Sequence, residues 1–152
     1  MAYTLEAVLG PAAVIHQVAA ELPAAPLITL PQGIAMLPVP EQLLNDGAGT
    51  LGFWMLPAGF ADKLAAWSTA GPVGYVEAEL FGGMGCQGAV LWEAQAVTFG
   101  PLTIEDEPFP SDGSPISQLL RHLGVTRGTH HDEFDAVGLG RHRHTEDWLP
   151  TT

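Results

Sequence analysis

Val73-Gly74-Tyr75-Val76-Glu77-Ala78-Glu79-Leu80-Phe81 is the stretch on which the fold turns. Tyr75, Glu77, Glu79 and Phe81 alternate with Val76, Ala78 and Leu80, the period of two expected of a half-exposed β-strand. One face is then apolar and the other mixed. Beyond residues 82–85 the chain resumes with Gln87 to Trp92 and again with Val97 to Phe99. A three-stranded antiparallel meander is the economical arrangement of these runs.

Toward the N-terminus, Tyr3 to Leu9 reads as an opening strand closed by Gly10-Pro11. Pro11 suits a first helical position, and Val14, Ile15, Val18, Ala19 and Leu22 recur at helical spacing, which predicts a helix over about residues 11–21. Leu27 to Leu30 and Ile34 to Leu37 read as short strands, and the prolines around them favour edge positions. Asn45-Asp46-Gly47 marks a turn, Leu51 to Leu56 is a further strand candidate, and Phe60, Leu64 and Trp67 line a helix over about residues 58–68. Toward the C-terminus, Glu105-Asp106-Glu107 and the Pro, Ser and Gly residues after it read as an acidic loop. Ser114 then caps a helix with Pro115 at its first turn, Ile116, Leu119, Leu120 and Leu123 on one stripe, and Gly124 at its end. The expectation is a single α+β domain over residues 1–152, with a mostly antiparallel sheet and about three packed helices.

A chain of 152 residues, 47% hydrophobic, buries roughly 70% of the surface its unfolded form exposes. One cysteine, Cys86, cannot form an internal disulfide, and Met1 to Gly10 carries no charged-then-apolar leader. Both point to a reducing cytoplasm. Pro and Gly break every apolar run well short of the ~20 residues that a membrane-spanning helix needs.

The net charge of -12 is unevenly distributed. Residues 1–63 hold five acids and Lys63, residues 64–120 seven acids and no base, and residues 121–152 five acids against four arginines. Nucleic acid and anionic membrane are poor partners for such a surface, because affinity for phosphates comes from Lys and Arg. A basic protein is the complementary partner. The contact residues expected on this charge argument are Glu77, Glu79, Glu93, Glu105, Asp106 and Glu107. Glu77, Glu79 and Glu93 are also weighed as an acid and base pair, which requires environments that separate their pKa values.

Gly83-Met84-Gly85-Cys86-Gln87-Gly88 matches the letters of a dinucleotide fingerprint. That motif needs a helix leaving the glycine turn, and here a strand leaves it, so a hairpin loop is the better reading. Cys86 as a nucleophile needs a cationic neighbour or a histidine. The last quarter of the chain concentrates titratable groups, with His130, His131, His142 and His144, five acids, Arg141 and Arg143. If residues 141–144 are extended, His142 and His144 project to one side. They then share a divalent metal such as zinc, with Asp132, Glu133, Asp135 or His130 completing the shell. The competing structural reading pairs Arg141 and Arg143 with Glu146, Asp147 or Asp135 and anchors the segment through Phe134, Leu139 and Trp148.

The pieces Tyr75 to Gly83, Pro115 to Gly124 and Asp132 to Trp148 resemble a group of small uncharacterised bacterial proteins, with Gly138-Leu139-Gly140-Arg141-His142-Arg143 the most specific portion. In size and acidity the chain is also similar to immunity proteins of bacterial toxin systems, a likeness that transfers no residue roles. The leading expectation is an acidic protein-binding domain, an immunity-type inhibitor of a basic toxin that needs no cofactor. The alternatives are a metal-dependent hydrolase using the four C-terminal histidines, and an assembly component whose apolar first half forms a subunit interface.

Overall fold

The computed structural model describes residues 2–23, 25–39, 56, 58–81, 84–106, 108 and 110–149. Among the described residues six strands form one antiparallel sheet: β1 (Ala2–Pro11), β2 (Ile28–Thr29), β3 (Ile34–Pro38), β4 (Val73–Phe81), β5 (Met84–Glu93) and β6 (Ala96–Glu105). Their order is β2-β3-β1-β4-β5-β6. Helices α1 (Ala12–Ala19), α2 (Ala58–Trp67), α3 (Pro115–His122) and the single turn α4 (Glu133–Ala136) pack on it, giving an α+β fold. The strand expected at residues 51–55 and the Asn45-Asp46-Gly47 turn lie outside the described residues.

Both sheet faces are covered. Val8, Val73, Tyr75, Val90 and Trp92 project to one face and are buried under α1 and α2 through Val14, Ile15, Val18, Phe60 and Leu64. Leu5, Leu9, Val76, Ala78 and Leu91 project to the other, where Ile116, Leu119 and Leu120 of α3 meet Val137, Leu139 and Trp148 of the C-terminal segment. This corrects the expectation of a half-exposed β4. The alternation is genuine, but β4 lies between β1 and β5 with helices above and below, so its mixed face is interior as far as Glu77.

The meander is present, with β4 paired to β5 from Val73↔Trp92 to Phe81↔Met84. Strand β6 is much longer than Val97 to Phe99 and runs through Pro101 to Glu105, replacing the start of the expected acidic loop. Gly100 has φ 78° and the Gly100-Pro101 peptide is cis. The β5–β6 register shifts near Ala89 and Leu91, so the strand bends here and then resumes pairing from Leu102. Proline is tolerated because β6 is an edge strand.

Helix α3 follows its sequence signals. Ser114 Oγ accepts the Ser117 amide at 3.2 Å, Pro115 sits in the first turn, and the Ile116 amide donates to Oε1 of buried Gln87 on β5 at 2.8 Å. The helix N-terminus is thereby satisfied and fixed to the sheet at once. The C-terminal segment is held to β1 where β3 stops. The Thr4 amide donates to the Arg143 carbonyl at 2.7 Å, and the Glu6 amide to Thr145 Oγ1 at 3.1 Å.

Candidate partner-binding surface

The cross-strand register assembles acids that are far apart in sequence. Thr4, Glu79, Cys86 and Glu105 are successive partners across β1, β4, β5 and β6, so they share one face. One step inward, Glu6, Glu77, Gly88 and Thr103 form the next row. Glu79, Thr103, Glu105 and Asp106 are exposed. The Asp106 amide donates to the Gly85 carbonyl at 2.7 Å, which extends the ladder past the end of β6.

Glu77 departs from the contact role expected of it. Its residue is 1% exposed, and its Oε1 accepts the Tyr75 hydroxyl at 2.9 Å. Position 77 lies far enough into β4 to be covered, whereas position 79 does not. Glu93 departs in another way. It lies at the opposite end of β5, seven residues from Cys86 or about 23 Å, and alternation from Trp92 places it on the other face. There its Oε2 accepts the Thr98 hydroxyl at 2.7 Å. The three glutamates weighed as an acid and base pair therefore do not share one site. Glu107 lies outside the described residues.

Cys86 is half-buried in the middle of the acidic row. Burial and then the negative charges of Glu105, Asp106, Glu79 and Glu77 push its thiol pKa up. The environment is the reverse of what an activated nucleophile needs.

The C-terminal histidines do not converge. His130 Nδ1 lies 3.3 Å from Asp135 Oδ2, with both side chains exposed, and His131 accepts the Arg127 guanidinium on its carbonyl at 3.4 Å. His142 stacks edge-on against Trp148 at 4.5 Å, while His144 Nδ1 lies 3.0 Å from Thr4 Oγ1. Among the described residues no three His, Cys, Asp or Glu side chains are grouped to hold a metal ion. The segment is anchored by Leu139, Trp148 and the half-buried Phe134, as the structural reading expects. Its arginines are used differently from that reading. Arg141 lies over the Trp148 ring at 5.8 Å and Arg143 contributes its carbonyl to Thr4.

One ion pair escaped the sequence argument. Arg121 Nε on α3 donates to Glu133 Oε2 on α4 at 3.1 Å, and its other arm reaches the Asp112 carbonyl at 2.8 Å. Arg121 and Glu133 line an open cleft of about 360 Å³ with Arg127, His131, Asp132 and Asp112. Burial pushes the Glu133 carboxyl up. The Arg121 hydrogen bond, a backbone amide and the charges of Arg121 and Arg127 outweigh it, holding the carboxyl below its ordinary range. The twelve-residue separation across a loop carries no periodic signal. Among the described residues no helix is long and apolar enough to cross a membrane. No protein-family model, curated protein or solved structure matches the chain.

Proposed function

We propose that this chain is an acidic protein-binding domain that acts as an immunity-type inhibitor, occluding a basic bacterial toxin. The observation that carries this reading is the exposed carboxylate group of Glu79, Glu105 and Asp106 at one end of the sheet, within a stretch that contains no Lys or Arg. Such a surface attracts Lys- and Arg-rich partners and speeds their encounter. The suppressed ionisation of Cys86 favours recognition over nucleophilic chemistry at that place. Glu77 does not belong to the contact set because it is buried, and Glu93 belongs to a separate region. A cytoplasmic setting, in which Cys86 stays reduced, goes with this reading.

The test is capture from the native host lysate at low and moderate salt, using the wild-type chain and a variant carrying Glu79→Lys, Glu105→Lys and Asp106→Lys as parallel baits. A stoichiometric basic partner held by the wild type, released as salt rises and missed by the variant, is the expected result. Equal capture by both baits, or no partner at either salt, overturns the proposal.

A further inference from the structure

We propose that the outer edge of β6 is a strand-docking site for an extended segment of the basic partner, in which Lys or Arg alternates with apolar residues. The inference rests on the binding function proposed above and adds the mode of recognition. Among the described residues, strand β6 is last in the sheet order and pairs only with β5, whereas the opposite edge strand, β2, has two residues. A long unpaired edge presents a row of main-chain donors and acceptors to any extended chain.

The register identifies which groups are free. The Asp106 amide points inward to the Gly85 carbonyl, so by the alternation of an antiparallel ladder Thr103 and Glu105 turn their N–H and C=O groups outward. Pro101 falls in the same outward set, where its missing N–H costs the sheet no hydrogen bond. The register shift between Ala89 and Leu91 limits the regularly paired part of this edge to Leu102 to Glu105.

The same register defines the occupant. Thr103 and Glu105 place their side chains on the acidic face with Cys86 and Glu79, while Leu102 and Ile104 lie on the face packed by α3. A docked strand therefore sets alternate residues beside Glu105 and the others beside Leu102 and Ile104. Cations suit the first set and apolar side chains the second. A second copy of this chain is the poorer occupant, since its β6 edge brings Glu105 and Asp106 toward the same negative end.

The probe is a synthetic peptide of about eight residues that alternates lysine and valine, added to the full chain while amide hydrogen exchange is followed by NMR. Two controls are a peptide of the same composition with its lysines in one block, and the alternating peptide N-methylated at every residue, which leaves neither of its edges able to donate. The alternating peptide is expected to slow exchange of the Thr103 and Glu105 amides by about tenfold or more, and neither control is. Equal protection by the block peptide, or binding of the alternating peptide that leaves both amides unprotected, overturns strand docking while the acidic-surface reading stands. Failure of that reading is registered separately, by the charge-reversed bait. Absence of any binding by the alternating peptide also overturns the docking site.

Discussion

The Tyr75 hydroxyl donates to Glu77 Oε1 at 2.9 Å, joining two residues on the same face of β4 whose side chains are both buried. Glu6 stands directly opposite Glu77 on β1. Removing the hydroxyl withdraws a donor from a buried carboxylate, so Tyr75→Phe is expected to destabilise the fold by about 1–3 kcal/mol. Urea unfolding checks this, and an unchanged midpoint would show that the hydroxyl is dispensable.

The chain has two tyrosines, Tyr3 and Tyr75, and burial pushes the phenol pKa of each well above its ordinary value of 10.0. For Tyr75 the charges of Glu77 and Glu6 and the hydrogen bond to Glu77 add to burial. The folded protein thus holds protons that the unfolded chain releases. Stability is complete below pH 10 and falls as pH rises beyond it, by up to about 1.4 kcal/mol per pH unit for each tyrosine. Tyrosinate absorbance in a rapid alkaline jump is expected to appear only with unfolding.

Glu133 sets the opposite limb. Its side chain is 7% exposed and its carboxyl is held below the ordinary value of 4.5. Its contribution to stability is therefore present above pH 4.5 and lost as pH falls through the lowered value. Arg121 is 49% exposed, yet Arg121→Ala leaves Glu133 without its guanidinium partner and is expected to cost about 1–3 kcal/mol at pH 7. Denaturant unfolding across pH 3–7 should show a shallower acid limb in the variant. A parallel curve would remove the pair from the account.

Trp148 is buried against the sheet and holds His142 at its edge and Arg141 over its ring. Trp148→Ala is expected to cost about 3–5 kcal/mol, and to raise hydrogen exchange at the Thr4 and Glu6 amides, which the same segment covers. Loss of stability without that local effect would mean that residues 143–145 hold to β1 unaided.

Surface and interior glutamates should separate in binding. Glu79→Lys with Glu105→Lys is expected to slow association with the captured partner by about tenfold at low salt and to flatten its salt dependence. Glu77→Gln, being buried, is expected to leave the association rate unchanged. Equal effects from both would place Glu77 at the interface after all. Stopped-flow mixing at several ionic strengths measures this.

Several parts of the fold were decided locally and could be read in advance. Period two over residues 73–81, the helical spacing of Val14, Ile15 and Val18, and the cap at Ser114 all recur as elements, because each depends on neighbours within a few residues. Tertiary structure alone decided which of these surfaces stay open to solvent. Glu77 and Glu79 have the same chemistry and the same strand face, yet one lies in the interior and the other at the rim. The difference is one of position along β4, Glu77 lying within the covered part of the sheet and Glu79 nearer its end, and no local pattern encodes that. The continuation of β6 through Gly100-Pro101 was likewise hidden. An edge strand needs hydrogen bonds on one side only, and it is the pairing with β5 that makes proline acceptable there. The same holds for Arg121 with Glu133 and for the dispersal of the four histidines, since through-space neighbours across a loop leave no periodicity to read.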